Sequence, residues 1–528
     1  MNRRDFLKIG ASGLTMVAVG TMADWPLFLS GSPAYASHLA SDRLDLEMVA
    51  TMAEMVDRIE VPMWAFRLKG TAHADMVGGE RIPGPGLIAL TGDRIRLRIT
   101  NSVGQGGAHG FAIPGVPLTV AGNVVSQVTI PTNGEVTIEF TAPAAGTYMY
   151  LDPLNAPVNR VMGLHGVLIV LPDPVGNNTP YSNPTSRVQQ LFDDLGSTGH
   201  FPGNPWDPMR NVVWMFNVID PVKCAAAAAI PGALAPSAFL DNFLPQYFTI
   251  NGKSGYFSAQ HAHGMTDPLA EHEEETRTSF AEGLFDLQRN ISIRGTVGQP
   301  ALIRSLNAGV MWQSPHIHGN HVYPLTHARI NAENIAVSRE IMNNLTMLDT
   351  WSIAPGDIKD VLLPFIQPPD IPAATWARLA NDTSDELFPL IYPMHDHNEL
   401  SNTAAGGNYP FGAATHWQID NPYDPTNPAT AVVIIEKAEV RLKTGQLLIE
   451  GRCTVPGLML MMHGGGHSGP MLNEPLRVGN QAGSDGRFRF QFRGRALKAL
   501  ATRTLTIMHH DDTTGMDHVL ASVPLKVR

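Results

Sequence analysis

Leu87-Ile88-Ala89-Leu90, followed by Thr91-Gly92-Asp93-Arg94-Ile95-Arg96-Leu97-Arg98-Ile99-Thr100, decides the fold class. In the second run Ile95, Leu97 and Ile99 alternate with arginines, the period-two pattern of a strand with one buried and one wet face. Gly92 and Asp93 supply the turn between the runs. Residues 136–140 and 167–171 repeat the theme between turn-forming residues, so these segments belong to one sandwich of about 130 residues. Glycine (49) and proline (41) together make up about a sixth of the 528 residues, and helical heptads are scarce. The chain therefore reads as all-β.

Working outward, the first 36 residues fall outside the fold. Arg3-Arg4-Asp5-Phe6-Leu7-Lys8 precedes a modestly apolar run over 9–23 and then Ala34-Tyr35-Ala36, the pattern of a twin-arginine signal peptide. The run is too short and too rich in Gly, Ala and Thr to span a bilayer, and no later stretch is long enough, so no transmembrane anchor is expected. The expected location is periplasmic or secreted. About 490 residues remain, enough for three domains with their own cores. We place them at 37–175, 176–425 and 430–528, with an Asn-, Pro- and Ser-rich linker at about 172–187. The last block carries spaced strand signals at Ala431-Val432-Val433-Ile434-Ile435, Gly445–Gly451, 487–492 and Thr504-Leu505-Thr506-Ile507, in an order resembling an immunoglobulin-like β-sandwich. No internal sequence repeat stands out.

The net charge of −11 makes nucleic acid an unexpected partner. Cys224 and Cys453 are the only cysteines, which excludes a disulfide-dense scaffold and leaves histidine, carboxylate and methionine to build any metal site.

The chemistry concentrates in the second block. Trp312-Gln313-Ser314-Pro315-His316-Ile317-His318-Gly319-Asn320-His321 carries three histidines in six residues, and Tyr392-Pro393-Met394-His395-Asp396-His397 carries two more. On a strand, residues i and i+2 share a face, so each His-x-His presents two imidazoles to one side. Two such strands side by side offer four convergent nitrogens, a set suited to copper, zinc, iron or nickel. Hydrogen-bonded core histidines are the alternative.

At these residues the sequence resembles the multicopper oxidases. That family carries four histidine strings, and Ser314-Pro315-His316-Ile317-His318-Gly319 resembles the third, while His395-Asp396-His397 resembles the fourth. Pro143–Tyr150 with Gly163–Val170 resembles the end of the family's first domain, and Tyr247–Lys253 its recurrent domain opening. The resemblance implies two tandem cupredoxin-like Greek-key β-sandwich/barrel domains ahead of the immunoglobulin-like one, copper as cofactor, and an oxidoreductase ancestry. It also implies ligand roles by position for His109, His316, His318, His395 and His397. Family members with two domains place copper between subunits, which makes a homotrimer an expectation of the resemblance.

The departures are as informative. Asp396 stands where the family has the cysteine of its blue type 1 copper, and Gln313 and Ser401 stand where it has the two type 1 histidines. Without a thiolate a His₂Cys blue site cannot form. By alternation Asp396 points away from His395 and His397. The first string is reduced to Gly107-Ala108-His109-Gly110 and the second reads Tyr150-Leu151-Asp152-Pro153. His165 and His321 are the recruits that would enlarge the set; each is also readable as a structural histidine.

Two further clusters stay open. Gln260-His261-Ala262-His263, with His272 and the acidic run at 271–275, reads as a second metal site, a lid, or a solvated loop. The stretch Met459, Met461, Met462, His463 and His467, with Met508, His509, His510, Met516 and His518, reads as core methionines or as a copper acquisition site. Two functions follow: an exported copper oxidoreductase acting on a small-molecule or metal-ion substrate, with or without a redox partner protein, or a non-catalytic copper-binding and delivery protein.

Overall fold

The computed structural model describes residues 43–527 apart from 70–81, 105–106, 230–233, 260–283, 286, 288–290, 373, 376–387, 406, 423–430, 442–443, 465–475, 478–485, 494–503 and 512–515. The fold is all-β. The first sandwich is built from β1 (Arg43–Glu54), β2 (Glu60–Leu68), β3 (Gly86–Leu90), β4 (Arg94–Ser102), β5 (His109–Phe111), β6 (Leu118–Val120), β7 (Asn123–Val125), β8 (Val128–Ile130), β9 (Glu135–Thr141), β10 (Gly146–Leu151) and β11 (His165–Leu171). The second uses β12 (Asn211–Ile219), β13 (Tyr247–Ile250), β15 (Ile293–Gly295), β16 (Ala301–Asn307), β17 (Pro315–Ile317), β18 (Tyr323–Pro324), β19 (Thr326–Ile330), β20 (Ala336–Ile341), β21 (Asp357–Leu363), β22 (Leu390–Asp396) and β23 (Ala414–Ile419), while the intervening β14 (Leu284–Phe285) joins the first sandwich.

The opening stretch behaves as its pattern requires. Ile95, Leu97 and Ile99 are fully buried, while Arg94 and Arg98 on the other face pair with Glu139 and Asp45. Strand β3 is buried along its whole length because β11 flanks it on one side and β14 on the other.

The two sandwiches repeat one plan. A large sheet runs β2-β1-β4-β9-β6-β7 in the first and β13-β12-β16-β21-β19-β20 in the second, and a four-stranded sheet, β10-β11-β3-β14 or β17-β22-β23-β15, faces it. In each, the opening strand pairs antiparallel with the next and parallel with a later one. This repeat is carried by strand order, and the sequence hides it.

Strand β12 shows how the halves are joined. Trp214, Phe216 and Val218 enter the core between the second sandwich's own sheets, whereas Val213, Met215 and Ile219 enter the core shared with the first. The large sheet is thus buried on both faces, which is why β12 reads as a continuous apolar run rather than an alternating one. Each large aromatic buried there contributes roughly 4 kcal/mol from area alone. A buried polar clamp fixes the orientation: Arg304 Nη1 lies 3.3 Å from Asp360 Oδ2 and donates to Thr147 Oγ1 of the first sandwich at 2.7 Å. Tyr181, from the connecting segment, donates to Asp360 at 3.0 Å.

The connection is more structured than its composition predicts. A helix, Ser186–Asp194, begins where the linker was expected to end, capped by the Thr185 hydroxyl, which accepts from the Val188 amide. The C-terminal region forms two further four-stranded sheets around its own core. Among the described residues no helix is long and apolar enough to cross a membrane.

Candidate metal centre

Strands β17 and β22 pair antiparallel with Pro315 opposite Asp396, His316 opposite His395 and Ile317 opposite Met394. Ile317, Met394 and Asp396 turn inward and are buried; His316 and His395 are half-buried and His318 and His397 exposed. Alternation therefore places all four imidazoles on the outer face of the small sheet. His316 and His395 form the centre of one cross-strand row, which β23 ends with Ala414 opposite His395, a side chain too small to crowd the rings.

The rings converge. His316 lies 4.3 Å from His397, 4.5 Å from His318 and 5.4 Å from His395, centroid to centroid. One ligand nitrogen from each of His316, His395 and His397 falls within 4.8 Å of the others, close enough to share one ion. His318 stands beside this trio, its Nε2 3.1 Å from that of His395. Burial, reinforced by the neighbouring imidazoles, holds His316 below the usual histidine range. Burial lowers His395 too, against the opposing hydrogen bond from its Nδ1 to the Asp396 carbonyl. Both shifts favour the neutral ring, which is the form that binds a metal. Among the described residues the group within ligand distance is made of imidazoles alone, which fits a borderline transition-metal ion rather than calcium or magnesium.

The inward side supports the rings. Asp396 Oδ2 accepts from the Ser314 amide at 2.8 Å and Oδ1 from the Asn398 amide at 2.7 Å, bracing one histidine strand against the other. Burial pushes its carboxyl up to about 6, with those two amides pulling the other way. Trp417, stacked on Tyr392 at 5.0 Å, donates from Nε1 to the His318 carbonyl at 2.7 Å. Gln313 and Ser401 are buried, and their side-chain polar atoms have no hydrogen-bond partner among the described residues.

His109 does not join this cluster. It is 1 % exposed inside the first sandwich, its Nδ1 2.7 Å from Asp152 Oδ2 and its ring edge-on to Trp64. The second sandwich's large sheet lies between that core and the small sheet carrying the other four histidines, so one chain cannot bring His109 to them. Asp152 also accepts from the Gly110 and Leu154 amides and from Asn159 Nδ2. Its acidic residue type two positions after Tyr150 was the only sequence signal for this network. His165 is likewise a core residue, bonded through Nδ1 to the Arg160 carbonyl at 2.7 Å. His321 is half-buried and belongs to no metal-sized group among the described residues.

His261, His263 and His272 lie outside the described residues. Of the C-terminal cluster, Met461 and Met508 pack into the large shared core and Met462 into the C-terminal core, while His509 bonds the Met459 carbonyl. His416 stands opposite Pro393 on the same outer face, with its pKa lowered chiefly by burial, and belongs to no metal-sized group among the described residues. A lone histidine in a strand offers no spacing by which to find it.

Comparison with known proteins agrees with the first sandwich. Residues 63–174 match the family model described as multicopper oxidase. Over these residues the chain is similar to the multicopper oxidases. No curated protein matches it. Among solved structures, a blue copper oxidase from Nitrosomonas europaea is 18 % identical over 72 % of this chain and 85 % of its own, with a TM-score of 0.43. The multicopper oxidase mgLAC is 18 % identical over 73 % and 87 %, TM-score 0.45. A copper nitrite reductase from Nitrosomonas europaea is 17 % identical over 73 % and 95 %, TM-score 0.41. The match ends at the start of the connecting segment, so the four-histidine face lies beyond the matched residues.

Proposed function

We propose that this protein is an exported copper-dependent oxidoreductase whose metal binds on the face formed by His316, His318, His395 and His397, without a type 1 blue site. The convergence of His316, His395 and His397 within 4.8 Å carries the reading. Three imidazoles that leave a coordination position open are the arrangement of a reactive metal site rather than a closed structural one. Copper bound there would supply a centre that exchanges electrons with a bound substrate.

The chain's own residues explain the rest. Asp396, Gln313 and Ser401 offer no thiolate behind the histidine strands. Burial pushes the Cys224 thiol up to about 12 and the Cys453 thiol up to about 11, so neither supplies one elsewhere. With no internal relay, electrons must enter at the histidine face itself. Exposed His318 and His397 leave that face open to a small molecule or to a redox partner protein. Burial of Met461, Met462 and Met508 weakens the delivery reading, which needs thioethers in reach of an incoming ion.

Metal analysis of the purified protein with optical and paramagnetic resonance spectra tests the proposal. We expect copper in a nitrogen-rich site with no intense thiolate-to-copper band. An intense blue band, or a metal-free protein that copper cannot reconstitute, overturns it. The export reading is tested separately: replacing Arg3 and Arg4 by lysine should hold the chain in the cytoplasm, and unchanged export would refute that route.

A further inference from the structure

The strand that carries His316 has a second neighbour, which the sequence did not announce. Residues 348–353 run along the side of β17 opposite β22: the Ile317 amide donates to the Asp349 carbonyl at 2.9 Å, the Trp351 amide to the Pro315 carbonyl at 3.1 Å, and the Gln313 amide to the Ile353 carbonyl at 3.0 Å. This register puts Thr350 directly opposite His316. The Thr350 hydroxyl lies 2.8 Å from His316 Nδ1, and Asp349 Oδ2 lies 3.7 Å from the same nitrogen.

We infer that Thr350, with Asp349 behind it, is a positioning residue that fixes His316 with its proton on Nδ1 and so aims Nε2 at the metal. The inference rests on the copper reading of this face. A hydroxyl can donate or accept, so Thr350 alone leaves the tautomer open. The carboxylate only accepts, which favours the proton on Nδ1 and makes the Thr350 oxygen its acceptor. The Nε2 lone pair is then free for an ion shared with His395 and His397, whose ring nitrogens come within 4.8 Å of one of His316's. His395 is arranged alike: its Nδ1 meets the Asp396 carbonyl at 3.3 Å, leaving Nε2 for the ion. Thr350 is suited to the task because a β-branched side chain has few χ1 options and its strand is held to β17 by paired amides. Half of the Asp349 side chain is exposed, so the hydroxyl is the principal support. Partners of this kind typically change metal affinity 10- to 100-fold when removed.

The test is the variant Thr350→Val, which keeps the shape and removes the acceptor. Copper(II) affinity, measured by competition with a chelator, should fall on the order of 10- to 100-fold with unchanged stoichiometry. The copper hyperfine pattern should shift, and Thr350→Ser should restore both. Should T350V fold poorly, Thr350→Ala carries the same measurement. Wild-type affinity and spectrum in the folded variants refute the inference while leaving the centre standing. Failure of the wild-type protein to bind copper refutes the centre itself.

Discussion

The two large sandwiches share a strand order yet treat their histidines in opposite ways. In the second, the small sheet turns His316, His318, His395 and His397 outward into a half-exposed cluster. In the first, His109 turns inward, where Asp152 occupies Nδ1 and leaves Nε2 without a partner among the described residues. Repetition of a fold therefore does not repeat a site: the direction a strand's side chains face decides whether a histidine is available to an ion or committed to the core. The comparison predicts that changes in the first sandwich act on stability and changes in the second act on metal.

The largest effect expected on this basis is at Asp152. Its buried carboxylate accepts four hydrogen bonds, three of them in the fully buried core. Asp152→Ala strands those donors and should cost roughly 4 kcal/mol in denaturant unfolding, since each stranded buried group costs about 1–3 kcal/mol and partial relaxation recovers some of it. Copper stoichiometry of the folded fraction should not change. If D152A loses metal at native stability, the division between the two sandwiches is wrong.

His165 gives the second effect, through pH. Burial lowers it to about 4 from an ordinary value of 6.5. The unfolded chain takes up this proton below pH 6.5 and the folded chain does so only near pH 4. The contribution is therefore fully present above pH 6.5 and is lost as pH falls between those limits. At 1.36 kcal/mol per unit the loss is about 3 kcal/mol. Comparing the acid limb of His165→Gln with that of the native protein checks it, and superimposed limbs would show that His165 is not neutral in the fold.

On the metal side, His395→Ala should weaken copper binding on the order of 100-fold or more, because His395 belongs to the trio and its Nε2 also lies 3.1 Å from that of His318. Melting of the metal-free variant should change little, since this ring is half-exposed. His109→Phe should do the reverse, and full copper loss in that variant would place His109 at the centre after all.

Much of the second sandwich was legible because two His-x-His runs obey strand alternation, which also foretold the inward turn of Asp396. The rest depended on neighbours in space rather than in sequence. His109 carried the residue type of a ligand, but its commitment to Asp152 rests on a contact across 43 positions. Thr350 and His416 reach the outer face through strands that no histidine motif marks. The repeat of the two sandwiches lies in pairing order, which leaves no trace in residue identity. The helix Ser186–Asp194 went unread because it follows directly on the Asn-, Pro- and Ser-rich linker and is a short amphipathic stretch.

The smallest effect isolates how far the site depends on what lies under it. Trp417 is fully buried, stacks on Tyr392 and donates from Nε1 to the His318 carbonyl. Trp417→Phe keeps an aromatic in the stack but strands that carbonyl and leaves a small void, which together should cost about 2 kcal/mol. His318 stands beside the trio rather than within it, so the slackened carbonyl should lower copper affinity only a few-fold, far less than loss of His395. A drop as large as that of His395→Ala would mean that His318 is a full ligand and that the centre uses four nitrogens, whereas no drop would confine the ion to His316, His395 and His397.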